Sequence, residues 1–332
     1  MASLSSSLDL ATYHPQKQSP LFGVFPGEIR NKIFAFALLQ YEDDAAAYPE
    51  DSYWYRPGFK GPKRGNSSLL RTCKLAYAEG QKVFLEEIEW AFWFDRGPRG
   101  RSGSNDCLRF FRDLSDSQVR DLEQVRFFTQ MYWLEGGHNI NNIFNNNNFR
   151  PSRLTITIRY SDWWFWEHNE PLRMREDWLI NFNGSHGLRE LRVEYETLAW
   201  KKAQMDAIVA RNKERVLKVR DGGYLSAEDT RLEEWRWTGP SKLGGQTWEH
   251  HGEGDVVEYV VVTDTWKYHE GPIPEDVLQR QAALQQQRLN SILAEGDWTD
   301  EGEEDDEDED EEEDEEEEEE GEEFSDDEDS QV

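Results

Sequence analysis

The chain has 332 residues, with 37 Lys+Arg against 69 Asp+Glu and a formal charge of −32. That charge is concentrated: residues 295–332 hold 28 acids and no base, which leaves 41 acids against 37 bases in residues 1–294, a net of −4. The longest uncharged apolar run, Ile33 to Leu39, is seven residues, where a membrane span needs roughly 18, and the opening Met1-Ala-Ser-Leu-Ser-Ser-Ser lacks the basic-then-apolar order of a signal peptide. These features predict an intracellular protein, cytoplasmic or nuclear, with no membrane partner. Cys73 and Cys107 are the only cysteines, too few for a disulfide framework or a thiolate metal site, and each reads as a small buried apolar residue. With 14 Trp, 17 Phe and 12 Tyr, the core is expected to be aromatic.

Residues 1–19 are Ser-rich and read as a disordered lead-in. The first organised element follows from Leu21. Pro26 suits the first turn of a helix, where its missing N–H costs nothing, and Glu28 stands near the positive end of the helix dipole. Ile29, Ile33 and Phe36 fall at i, i+4 and i+7, on one face. Residues 42–66 are rich in Pro and Gly and read as a long insert. A second helix is predicted from Asn66-Ser67-Ser68, with Leu70, Cys73, Tyr77 and Phe84 at helical spacing, packed on the first. Together these make a helical unit over residues 20–90.

Residues 91–271 read as an aromatic-rich α+β body. Glu89 to Phe94 is a predicted strand, closed by the Gly- and Arg-rich loop from Arg96. A short amphipathic helix covers Asp106 to Leu114, and Ser115 with Gln118 forms a capping box for the next. Leu122-x-x-Val125-x-Phe127, Pro151-x-x-Leu154-x-Ile156 and Leu188-x-x-Leu191-x-Val193 each suggest a strand entered from a turn. Their anchors at 125, 154 and 191 are too irregularly spaced for a leucine-rich array. Helices are predicted over Leu172 to Phe182 and Leu198 to Val219, and a Val-rich strand over Asp255 to Thr263. Residues 272–294 hold a C-terminal amphipathic helix, Pro274 to Leu293, and residues 295–332 an acidic tail expected to be disordered through self-repulsion.

No catalytic spacing emerges. Phosphate-cradling glycine loops, a nucleophile elbow and a His-Glu-x-x-His helix are all lacking, so a non-enzymatic protein without cofactor is expected. His250-His251 is the nearest approach to a metal site, and adjacent histidines on an extended segment point to opposite sides, so a polar loop is the expectation. Trp163-Trp164-Phe165-Trp166 is the most unusual string. Ring faces there could stack bases or hold a ligand, but Asp162, Glu167 and Glu170 surround them where a nucleic-acid platform needs bases. Core packing or a protein contact is expected, with Trp163, Trp164 and Trp166 as the candidate client surface and no direct nucleic-acid contact. Residues 201–220 carry a local charge of +5 and read as a solvated basic face or a phosphate contact screened by the tail. The tail itself reads as a solubilising segment or a weak binder of basic proteins such as histones, and Ser325, with acids immediately downstream, is a candidate phosphosite of modest effect.

Phe25-Pro26-Gly27-Glu28-Ile29-Arg30-Asn31-Lys32-Ile33 is similar to the opening of an F-box, and Leu69-Leu70-Arg71-Thr72-Cys73-Lys74 resembles its second half. Together they resemble the F-box-like domain of a group of filamentous-fungal proteins. The resemblance covers about residues 21–90, with the insert of about 25 residues separating halves that are normally compact. It implies that Phe25, Pro26, Ile29, Ile33 and Leu70 lie on or beneath a surface that docks the Skp adaptor, and through it the cullin, of an SCF-type ubiquitin ligase. The rest of the chain would then recruit a client. The alternative reading is a chaperone-like protein associated with histones or nucleic acid through the acidic tail.

Overall fold

The computed structural model describes residues 14–98, 103–248 and 254–294; Ser325, the acidic tail, His250 and His251 lie outside them. The protein is α+β. Its elements in chain order begin with helices α1 (Pro20–Gly23) and α2 (Gly27–Ala37), strands β1 (Gln40–Glu42) and β2 (Lys63–Gly65), and helix α3 (Lys74–Glu87). There follow β3 (Glu89–Phe94), α4 (Ser104–Arg112), α5 (Asp116–Asp121), β4 (Gln124–Thr129), α6 (Met131–Glu135), α7 (His138–Phe144) and β5 (Arg153–Ile158). The remainder comprises α8 (Asp177–Ile180), β6 (Asn183–Gly184), β7 (Glu190–Leu198), α9 (Lys202–Lys213), β8 (Leu217–Val219) and β9 (Tyr224–Ser226). Last come β10 (Glu233–Pro240), β11 (Lys242–Leu243), β12 (Gln246–Thr247), β13 (Val256–His269) and α10 (Glu275–Ala294). Residues Met1–Ala282 form one compact unit, so the helical segment and the body are not separate; Ala283–Val332 is a second unit.

A mixed sheet organises the first unit, in the order β3-β4-β5-β7-β13-β9-β8-β6, with β10 also paired to β13. Strands β3, β4, β5 and β7 are parallel, as expected where helices form the crossovers. The three anchors read from the sequence are cross-strand partners: Val125 faces Leu154, and Leu154 faces Leu191. Phe92, Phe127, Ile156 and Val193 make the next row. Both rows share one face, because side chains alternate along a strand. Residues of α4, α6, α7, α8 and α9 pack against that face in the main core, among them Phe111, Trp133, Ile143, Trp178 and Val209.

The other face carries Trp93, Phe128, Thr157 and Glu194 in one row. The predicted insert lies on it. Its ends pair as an antiparallel ladder, with Gln40 opposite Gly65, and its middle buries Phe59 against Phe128 and Trp93, with Trp54 and Ala91 packed alongside. Phe59 meets Phe128 edge-on at 4.8 Å between centroids, while Trp93 stacks on Phe128 at 3.7 Å. Rather than a passive loop, the insert is the second covering layer of the sheet.

Several boundaries differ from expectation, each for a local reason. The second helix starts at Lys74, because Cys73 is extended and caps it, its sulfur accepting from the Ala76 amide at 3.4 Å; Leu69–Arg71 is a separate 3-10 turn. The predicted helix to Val219 stops at Lys213, and Leu217–Val219 pairs as a strand with β9 and β6. Only Asp177–Ile180 is α-helical in the segment from Leu172 to Phe182. The Val-rich strand runs to His269, long enough to pair with β7 along one edge and with β10 and then β9 along the other.

Candidate functional site

Helix α2 divides its apolar residues between two faces. Phe34 and Leu38 are fully buried and join Leu70, Ala76 and Val83 in the core between α2 and α3. Arg30 locks the pair, donating from Nε and Nη2 to Glu79 at 2.7 and 2.8 Å and from Nη1 to the Phe25 carbonyl at 2.8 Å. That hydrogen bonding to Glu79 holds the Arg30 guanidinium above its ordinary pKa. Among the described residues nothing covers the opposite face: Ile29 is 40% and Phe36 77% exposed, and Val24 and Phe25 just ahead are 74% and 41% exposed. Pro26 is exposed and Ile33 half-buried on the same side. Leu70 lies beneath, in the core, because Gly80 on α3 leaves it room: a Cβ there would stand 2.6 Å from Leu70 Cδ2. Val24 is the member of this surface that the helical spacing did not signal.

A second feature lies where β3, β4 and β5 end. The chain leaves them through Asp95-Arg96, Gln130-Met131 and Arg159 to Glu167, and these segments enclose a cleft of about 200 Å³. Asp95, Arg96 and Phe165 adopt left-handed φ values of 70°, 42° and 51°. For non-glycine residues such conformations cost on the order of 1–3 kcal/mol each and gather at functional segments. Arg96 donates from Nη1 to the Ser161 carbonyl and from Nη2 to Glu167 Oε1, each at 3.2 Å. With its amide turned so that the oxygen faces Arg96, Gln130 accepts from Arg96 Nε at 3.0 Å and donates to Asp95 Oδ2 at 3.2 Å. Burial, then the neighbouring Asp95 carboxylate, raises the Tyr132 phenol above its ordinary pKa. Beneath the cleft, Arg159 and Asp162 form a buried fork with two contacts of 2.7 Å. Burial raises the Asp162 carboxyl's pKa and the Arg159 guanidinium opposes it.

The aromatic string is split by this arrangement. Trp163 and Trp166 are each 2% exposed; both line the cleft but offer little surface outside it. Trp163 donates to the Glu196 carbonyl at 2.8 Å, and Trp166 packs edge-on to Tyr53, Tyr160 and Trp248. Trp164 is half-buried, its indole N–H on Glu135 at 2.9 Å. The ring that reaches solvent is Phe165, 52% exposed, which the alternation of a turn with positive φ swings outward. No sequence signal marked it apart from its three tryptophan neighbours.

Most of the basic segment around α9 is engaged within the chain. Lys202 pairs with Asp206 and Glu234, Arg211 and Arg215 with the buried Glu176, and Lys213 with Asp264. Lys201 is buried and donates to the Glu170 carbonyl at 2.6 Å, and Arg220 donates to the Phe144 carbonyl at 2.7 Å. Six of the seven basic residues are thus met by acids or carbonyls of the chain itself, while Lys218 is exposed, so the segment as a whole is not a solvated basic face. Among the described residues no helix is long and apolar enough to cross a membrane and no group of three or more His, Cys, Asp or Glu could hold a metal ion. No family model matches the sequence, and no curated protein or solved structure matches it either.

Proposed function

We propose that this protein is a non-enzymatic interaction module whose N-terminal helical pair docks an adaptor protein while the body recruits a client. The observation that carries the reading is the divided apolar character of α2, which buries Phe34 and, at its end, Leu38, and leaves Ile29 and Phe36 exposed next to the exposed Val24 and Phe25 that precede it. Exposed apolar side chains that adjoin on one helix face are what a partner helix or groove covers. The resemblance of Pro26 to Ile33 and Leu69 to Cys73 to an F-box gives the partner a class: the Skp adaptor of an SCF-type ubiquitin ligase, with a cullin behind it. In the alternative reading the acidic tail binds histones or other basic proteins, on the strength of an uninterrupted acidic run from Glu303 to Glu320.

The test is capture of the Skp adaptor and cullin by the full chain and by an Ile29→Asp/Ile33→Asp variant whose circular dichroism and unfolding temperature match wild type. Ile29 is exposed and Ile33 half-buried, so the fold should tolerate the change. Wild type retains both partners and the variant loses at least tenfold, as expected when an interface centre takes on unpaired charge. If wild type captures neither, adaptor docking is excluded. If histone binding alone is found and deleting residues 295–332 abolishes it, the alternative stands.

A further inference from the structure

In open sheets with parallel strands, ligands are held in the crevice beyond the carboxyl ends, where loops from neighbouring strands diverge. The cleft past Phe94, Thr129 and Ile158 occupies that place. Its volume of about 200 Å³ is below the roughly 300–1,000 Å³ that accept drug-sized ligands, and suits a single side chain.

Arg96 gives one N–H each to Gln130, Ser161 and Glu167, and Asp162 takes three hydrogen bonds from Arg159. Beside the remaining Arg96 N–H groups, the cleft offers acceptors and ring faces. Arg96 takes only Oε1 of Glu167, and no described residue engages the other oxygen. Around it stand Tyr132, 51% exposed, Phe165, 52% exposed, and the half-buried Trp164. A planar guanidinium suits such a site, because it stacks on a ring while its N–H edge donates to a carboxylate. The chain treats its own arginines there in this way. Arg96 lies 5.2 Å from the Tyr53 ring and 5.7 Å from the Trp166 ring while bonded to Glu167. Arg173 lies 5.8 Å from the Phe165 ring while bonded to Glu170 at 3.2 Å.

We propose that the cleft receives an arginine side chain from a partner protein, its guanidinium against Phe165 and hydrogen-bonded to Glu167. This deepens the client half of the reading above and is independent of adaptor docking. The test is calorimetric titration of the full chain with a capped, otherwise neutral pentapeptide whose central residue is arginine, and with the same peptide carrying citrulline, which keeps the shape and loses the charge. The variants are Glu167→Gln, Phe165→Ala and, should the latter unfold, Phe165→Leu, each checked by its unfolding temperature. The tail's acids are unchanged in every variant, so the difference from wild type reports the cleft. The expected result is binding of the arginine peptide that weakens about tenfold in Glu167→Gln and about threefold in Phe165→Ala, with citrulline at least tenfold weaker in wild type. Equal affinity for both peptides, or arginine-peptide affinity unchanged by both substitutions, overturns the proposal. Skp capture by Glu167→Gln stays at the wild-type level, so failure here and failure of adaptor docking are told apart.

Discussion

Arg126 on β4 joins β3, β5 and β7 across the sheet's second face. Its Nε donates to Glu89 at 2.9 Å, and its Nη1 donates to Glu194 at 2.6 Å and Thr157 at 2.7 Å. The Phe59 ring lies 5.3 Å from the guanidinium carbon. Arg56, 2% exposed, adds a second cation 3.3 Å from Glu194 and 3.6 Å from Glu196. Burying such charges is costly, and removing one partner of a set costs more than the set contributes, because the survivor stays buried and unpaired. Glu194→Gln is therefore expected to destabilise the protein by about 3–5 kcal/mol in urea unfolding at neutral pH. Burial alone would push the Glu194 carboxyl up, but Arg126, Arg56 and the hydrogen bonds from Arg126 and Thr157 bring it down from 4.5 to about 2. Since the folded-state value is the lower one, the stabilisation is complete above pH 4.5 and is lost as the pH falls from 4.5 through 2. Over that window the stability of the Glu194→Gln variant should fall less steeply than wild type, and parallel curves would show that Glu194 is not the group responsible.

At the scale of elements, α2 and α3 meet across Gly80, where a Cβ would stand 2.6 Å from Leu70 and 2.9 Å from Phe34. Helix propensity favours replacing a glycine within a helix, but Phe34 is fully buried and has no room to yield. Gly80→Val should cost about 1–3 kcal/mol through overpacking, read as a lowered urea midpoint, and a neutral or stabilising result would mean that the pair can part without loss. Much at this scale was legible in the sequence. The capping box at Ser115 and Gln118 is present with both of its hydrogen bonds, because it involves four consecutive residues and nothing beyond them. The i, i+4, i+7 series of Ile29, Ile33 and Phe36 does share one face, yet that face points outward. Periodicity names the face and is silent on what covers it.

For the molecule as a whole, the decisive piece is the segment between β1 and β2. It joins the two halves of the helical unit to the sheet by contacts far apart in sequence. Arg159 donates to the Tyr53 carbonyl at 2.9 Å, the Gly244 amide to the Asp51 carbonyl at 2.6 Å, and Gln40 to the Glu89 carbonyl at 3.2 Å. Phe59 is its apolar anchor, 7% exposed, with the Lys63 ammonium 3.9 Å from its ring. The attachment is imperfectly matched: Ser52 Oγ, Trp54 Nε1 and Arg56 Nε and Nη1 are buried without a hydrogen-bond partner among the described residues, and each such group carries a desolvation penalty. Phe59→Ala is accordingly expected to destabilise the protein by about 3–5 kcal/mol, with hydrogen exchange rising first at Gln40–Glu42 and Lys63–Gly65 and last in β5 and β7. Uniform acceleration across the sheet would mean that the segment and the sheet open together.

What the sequence by itself determined are the features whose causes lie within a few residues: the acidic segment set apart from a near-neutral body, the helix start after Pro26, the Ser115 cap and the three strand anchors at Val125, Leu154 and Leu191. Their energetics are those of one turn or one alternation, which neighbouring residues suffice to decide. The tertiary structure alone decided that those anchors form one row, that the Pro- and Gly-rich insert covers the far face of the sheet, that Trp163 and Trp166 belong to the core while Phe165 reaches solvent, and that most of the basic residues about α9 are engaged by acids and carbonyls of the chain. Each of these depends on partners brought together from 68 positions apart, as for Arg126 and Glu194, or 106, as for Arg159 and Tyr53. Burial and charge pairing are properties of those assembled contacts, and no local pattern encodes which partner will arrive.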